Sequence, residues 1–191
     1  YRVKLLGVTR RREDGIELRV HPAMVPESAL LANVEGVMNA VVVEGDAVGQ
    51  TLHYGAGAGS HPTASAVIAD LVDVARLITA DPQHRVPHLA FRHDQMSDTP
   101  ILDIDDTVTR YYLRLQVADQ PGVLADVTRI LAAVGISIEA AIQREAGDDA
   151  ATVVLMTHES RERDVRTAIR EIESLDSSRG PVVMMRVEKL D

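Results

Sequence analysis

The sequence predicts an α/β (α+β) fold in two parts: a partial mixed sheet with helices, then a smaller β-α-β-β-α-β module. Three observations carry this prediction. β-rich runs joined by tight turns open the chain, residues 62–80 repeat their apolar positions at helical spacing, and residues 109–191 alternate strand and helix patterns after an aperiodic stretch.

In order along the chain, residues 3–8 and 16–20 are short apolar or alternating runs joined by a charged segment ending in Asp14-Gly15, which reads as a hairpin. His21-Pro22 is expected to stop the second strand, because proline has no N–H for the ladder. Residues 26–32 read as a short helix, and 37–44 and 47–54 as a second hairpin around Gly45-Asp46. Between 62 and 80 the apolar positions Ala64, Val67, Ile68, Leu71, Val72, Ala75 and Ile78 form one helix stripe. Periodicity is lost from Asp81 to Thr107, where Pro82, Pro87 and Pro100 fall, and this stretch reads as a linker. The expected parts are therefore 1–80, a linker 81–108, and 109–191.

In the last part, Tyr111, Leu113, Leu115 and Val117 alternate with polar neighbours as a half-buried strand. The turn Asp119-Gln120-Pro121-Gly122 leads into a helix with Val123, Leu124, Val127, Ile130, Leu131 and Val134 on one face, ended by Gly135. A strand through Ile136, Ile138, Ala140 and Ile142 turns at Gly147-Asp148-Asp149 into another at 152–158. Ser160 is expected to cap a second helix carrying Val165, Ala168, Ile169, Ile172 and Leu175, and Gly180-Pro181 introduces a last strand at 182–187. This order is ferredoxin-like, a four-stranded antiparallel sheet with both helices on one face.

Composition excludes several functions. The 191 residues carry 20 Lys or Arg, 29 Asp or Glu and no cysteine, a net charge of −9. Disulfide scaffolds, thiolate zinc clusters and cysteine nucleophiles are thereby excluded. Nucleic acid is not an expected partner, because neither half has a basic footprint and only five aromatic residues could stack on bases. Arg10-Arg11-Arg12, followed at once by Glu13 and Asp14, reads as a solvated turn. No apolar run reaches the ~20 residues of a membrane helix, so a cytoplasmic location is expected. Lys4 and Lys189 are the only lysines, so lysine chemistry has little place to reside; a start at Tyr1 rather than Met suggests a chain that begins partway through a longer one, and a trimmed N-terminus explains the same fact equally well.

The glycine run Tyr54-Gly55-Ala56-Gly57-Ala58-Gly59-Ser60-His61-Pro62-Thr63 carries a strand into a helix. Such a loop lets backbone N–H groups approach an anion, and the helix start adds free donors; a glycine-rich tight turn without ligand explains the same spacing. At the other end, the turn at Asp119 to Val123 leaves N–H groups where a carboxylate could dock, with Asp119 available for an ammonium; a capped turn without ligand is the alternative. His84, His88 and His93 lie in the irregular stretch and read as surface positions, and Asp103, Asp105 and Asp106 lack the glycine and terminal glutamate of a calcium loop, so no metal site is expected. Ser65 and His61 have no third member and form no catalytic pair.

The stretch from Gly55 to Val67, followed by Asp70-Leu71, resembles the end of the catalytic region of homoserine dehydrogenases. Tyr1-Arg2-Val3-Lys4-Leu5-Leu6-Gly7, Val20-His21-Pro22, Val25-Pro26, Leu31 to Gly36 and Asn39-Ala40-Val41 occur in the order of that family, with Ser28-Ala29 departing from the more usual His-Pro. Residues 117–127 and 135–139 resemble an ACT domain, an amino-acid-sensing module. The resemblance implies an NAD- or NADP-dependent oxidoreductase that interconverts L-aspartate 4-semialdehyde and L-homoserine in threonine and methionine biosynthesis. It implies that the nucleotide-binding domain and the catalytic lysine precede Tyr1, that no catalytic residue lies within these residues, and that the fragment is inactive alone. Gly55, Gly57, Ala58 and Gly59 are the implied cofactor contacts. Asp119, Gly122, Val123, Leu124 and Ile138 are the implied effector contacts, with threonine as the feedback ligand and a homodimer interface beside residues 136–139. A stand-alone amino-acid-binding module is the competing reading.

Overall fold

The computed structural model describes residues 1–80, 93–145 and 150–189. His84, His88 and the expected turn Gly147-Asp148-Asp149 lie outside them. Nine strands are described: β1 (Arg2–Arg11), β2 (Ile16–Val25), β3 (Met38–Gly45), β4 (Gly49–Ala56), β5 (Val108–Ala118), β6 (Ile138–Glu145), β7 (Ala150–Thr157), β8 (Ser160–Arg161) and β9 (Val183–Val187). Three α-helices accompany them: α1 (Ser60–Thr79), α2 (Val123–Ala133) and α3 (Glu162–Glu173). The expected short helix at 26–32 is a single 3-10 turn, Leu30–Asn33.

Contacts divide the chain into one compact unit of residues 1–32 with 99–191 and another of 33–98. These limits differ from the expected parts 1–80 and 109–191, because the first hairpin is hydrogen-bonded into the sheet of the last part.

In the first unit the strand order is β1-β2-β9-β5-β7-β6, with β8 pairing the start of β5. The four strands β9-β5-β7-β6 and helices α2 and α3 are the expected ferredoxin-like module, and all pairings within that sheet are antiparallel. The β1–β2 hairpin extends it, β2 pairing β9 in parallel through Ala23↔Arg186 and Met24↔Val187. Pro22 does not end β2. β9 reaches the strand only from Ala23 onward, so at Pro22 that side carries no ladder for a missing N–H to break.

The core is built as periodicity requires. Tyr111, Leu113 and Leu115 of β5 and Val153 and Leu155 of β7 meet Val127 and Leu131 of α2 and Val165, Ala168 and Ile172 of α3. α2 ends in a Schellman closure: Ile136 N–H donates to Leu131 O at 2.9 Å and Gly135 N–H to Ala132 O at 3.0 Å, with Gly135 at φ +76°. Ile136 and Leu131, the hydrophobic pair of that motif, are both buried. Ser160 does not cap α3. Its hydroxyl donates to His158 O at 3.0 Å, and Arg161 holds the cap position without a side-chain bond.

The second unit holds the β3–β4 hairpin, in register from Met38↔Ala56 to Gly45↔Gly49, and α1. The helix forms where expected, yet none of its residues is buried; Val67, Ile68 and Leu71 are each more than half exposed. Its apolar stripe has no layer packed on it among the described residues.

Candidate functional site

The glycine run joins the end of β4 to α1. Gly57 N–H donates to Val37 O at 2.8 Å, which folds the loop back on the strand that pairs with β4. A Cβ at Gly57 would lie 1.7 Å from Asn39 Nδ2, so no larger residue fits without displacing that side chain. Gly59, at φ +123°, is the N-cap of α1 and offers no side chain to the helix start. The first helical bond runs from Thr63 N–H to Gly59 O at 3.1 Å, which leaves the N–H groups ahead of it outside the ladder. The first turn carries no acidic residue, so nothing there repels an anion. Gly55 differs: a Cβ there meets open space. Gly55, Gly57, Ala58 and Gly59 are all exposed, so the loop presents backbone to solvent. Asn39, which packs over Gly57, was not among the expected contacts; its register opposite Gly55 becomes visible only once the hairpin is paired.

The second expected site splits. Asp119 is exposed and accepts from Gln143 Nε2 at 3.3 Å, Gly122 takes φ +95°, Val123 is buried and Leu124 lies 39% exposed. Ile138 sits at the opposite end of β6, level with Thr157, while the turn adjoins the Gln143 end. One protomer therefore does not bring Ile138 to the turn. A cleft of about 330 Å³ opens beside the turn, lined by Gln120, Pro121, Val123, Asp126, Asp176 and Arg179 among others. Of the five expected effector residues only Val123 lines it.

A buried ionic cluster, unexpected from sequence, lies where β2 meets β9. Glu17, Arg19 and His21 alternate along β2 and are each under 10% exposed, as are Arg186 of β9, Glu188 just after it, and Glu162 at the start of α3. Arg19 donates to Glu17 at 2.6 Å and forks onto Glu188, with Nη2 to Oε2 at 3.3 Å and a shorter Nη1 bond to Oε1. Arg10 adds a 3.1 Å bond to Glu188, and Arg12 bonds Glu17 at 2.8 and 3.1 Å. Arg10, in β1, and Arg12, exposed in the turn that its N–H closes onto Gly15 O, thus also reach into this cluster. On the α3 side, Glu162 receives Arg186, Arg166 and, at 3.3 Å, the Tyr111 hydroxyl.

Titration follows from these contacts. Burial pushes the Glu17 carboxyl up, but hydrogen bonds from Arg19 and Arg12 outweigh it and hold the group below the usual glutamate range. Glu162 behaves alike through Arg186 and Arg166. Burial and the neighbouring charges of Arg186 and Arg19 lower His21, despite opposing contributions from Pro22 O and Glu188. His21 Nε2 lies 2.6 Å from Arg19 Nη1, so it accepts there while Nδ1 faces Pro22 O at 3.2 Å, the arrangement of a neutral ring. Tyr111 is pushed up by burial and by the Glu162 charge.

Among the described residues no group of three or more His, Asp or Glu could hold a metal ion, and no helix is long and apolar enough to cross a membrane.

Comparison with known proteins agrees with both halves. The family model described as Homoserine dehydrogenase matches residues 1–72, and that of the ACT domain matches residues 111–177. A curated homoserine dehydrogenase of Pseudomonas aeruginosa is 56% identical over all of this chain and 44% of its own length. One of Neisseria gonorrhoeae is 54% identical with the same coverage. The crystal structure of a homoserine dehydrogenase from Thiobacillus denitrificans superposes with a TM-score of 0.92 at 60% identity, over 100% of this chain and 43% of that one. The chain thus spans less than half the length of the relatives it matches, and over that span it is similar to homoserine dehydrogenases, with a match to the ACT domain in its last part.

Proposed function

We propose that these residues are the end of the catalytic domain and the regulatory domain of a homoserine dehydrogenase, which interconverts L-aspartate 4-semialdehyde and L-homoserine with NAD or NADP. The observation that carries the reading is the unbroken likeness to such enzymes through both segments, in one order and with one tertiary structure. On this reading 1–80 is catalytic-domain sequence, 81–108 a linker and 109–191 the ACT domain, and the nucleotide-binding domain and catalytic lysine come from outside these residues.

The glycine loop fits a dinucleotide. Close approach of backbone is possible only where side chains are missing, and Gly57 and Gly59 are the positions where the structure has no room or no suitable φ for one. The bound cofactor supplies the hydride acceptor or donor. Ala58 and Gly59 orient it through backbone N–H groups, while Gly57, its own N–H held on Val37 O and Asn39 packed over it, keeps the loop in that shape. In the full-length protein, Gly57→Ala is expected to raise the KM for NADP strongly while Gly55→Ala leaves it near the wild-type value. Equal effects of the two substitutions would remove the loop from the cofactor site.

The ACT domain is assigned an amino-acid ligand, threonine, at a dimer interface. Among the described residues β6 is the last strand of its sheet. In a two-fold pairing of such edges the strands run in opposite directions, so Ile138 of the partner subunit would face the Asp119–Gln143 end. This accounts for two expected contact regions that a single protomer keeps apart. Calorimetry of the protein with threonine tests it; no heat at saturating concentration would count against threonine as ligand.

A further inference from the structure

The geometry points to the β2–β9 seam, locked by the Arg19–Glu188 fork, as the route by which a ligand on the ACT domain acts on the homoserine dehydrogenase segment. The inference rests on the reading of the ACT domain as a sensor, and adds the path.

The backbone alone joins β2 to β9 weakly. Two residue pairs and one further bond, Glu188 N–H to Met24 O at 3.0 Å, make the parallel contact. So short a ladder specifies its register poorly, and a slip of one residue would turn every β2 side chain to the other face. The cluster supplies the missing specification. Glu17, Arg19 and His21 share the face of β2 that meets Arg186 on β9 and Glu188 just after it; a slip would place Leu18 and Val20 there and strand Glu188 without a cation. Buried ion pairs add little net stability over apolar residues of equal volume, and their best-attested use is to fix register or state.

The same groups reach the sensing side. Arg186, two residues from Glu188, pairs with Glu162 at the start of α3, and Glu162 accepts from Tyr111 of β5, the strand that ends at the Asp119 turn. A shift of β5 or α3 on ligand binding therefore moves β9, and the fork passes it to a hairpin inside the segment matched by the dehydrogenase family. Coupling through two discrete arrangements of a packed network is the physical form such a signal takes.

The test uses the full-length protein, its Glu188→Gln variant and, should that fail to fold, Arg10→Met, which removes a part-exposed partner of the same carboxylate. Threonine affinity is read by calorimetry, inhibition by homoserine oxidation, and the hairpin by hydrogen exchange of residues 2–25. The expected result is that threonine slows hairpin exchange in the wild type, and that the variant binds threonine with unchanged affinity but loses both this slowing and the inhibition, a coupling of roughly 5- to 150-fold falling to near one. A merely structural role would lower affinity and leave the response at saturation intact, and that outcome overturns the inference. If no amino acid gives heat with the wild type, the sensor reading fails separately, and exchange without ligand decides the seam. Exchange of the hairpin in one step with β5 and β7, released by Glu188→Gln, then supports the lock; independent exchange in the wild type refutes it.

Discussion

Glu162 offers an internal comparison of what burial does to an ion pair. Its carboxylate is fully buried and receives two arginines: Arg186, whose side chain is 10% exposed, and Arg166, at 47%. Arg186→Met leaves the carboxylate in place with Arg166 and the Tyr111 hydroxyl as its remaining donors. Breaking a buried pair costs about 3–5 kcal/mol, and because Arg166 stays, the lower end, about 3 kcal/mol, is expected. Arg166→Met removes a partner that water screens, so about 0.2–1 kcal/mol is expected. Urea unfolding reads the difference: at an m-value of about 1–3 kcal/mol/M the first change lowers the midpoint by about 1–3 M and the second, at the same m-value, by about a third of that or less. Tyrosine fluorescence is a suitable signal, since the chain has no tryptophan and Tyr111 and Tyr112 both lie in β5. Equal shifts for the two variants would refute the argument that burial decides the worth of each pair.

His21 predicts a pH dependence. Burial lowers its folded pKa below the unfolded value of about 6.5, so its contribution is fully present above that value and is lost as pH falls from there toward the folded pKa. Glu17 and Glu162, also lowered, lose theirs in a more acidic window, below the ordinary glutamate value. His21→Gln should flatten stability across the first of these windows, just below about 6.5; an unchanged slope there by pH-dependent urea titration would exclude His21 as its source. Leu155→Ala in the core should cost about 2–5 kcal/mol, whereas Leu5→Ala, at a side chain 73% exposed, should stay within about 0.5 kcal/mol in thermal unfolding of the chain.

The last part of the chain was largely legible from sequence, because its elements are specified locally. Strand alternation at 111–117, the helix stripe at 123–134 and the stop at Gly135 all depend on residues within a few positions of one another. The glycine run was legible as a strand-to-helix loop, though spacing alone did not separate Gly55, which has room for a side chain, from Gly57, which has none. Ser160 misled, since it lies one residue ahead of the cap position, which Arg161 holds, and its hydroxyl donates to His158 O.

The first hairpin shows where local reading stops. Its pattern of Leu18 and Val20 between Glu17, Arg19 and His21 suggests apolar residues inside, yet those two are 56% and 72% exposed while the charged residues are buried. Sequence by itself determined the hairpin, the helices and the ferredoxin-like order, since these follow from turn chemistry and periodicity. Only the tertiary structure decided which face of the hairpin turns inward. The charges can be buried there because their partners, Glu188 for Arg19 at a separation of 169 residues above all, arrive on a strand from the far end of the chain.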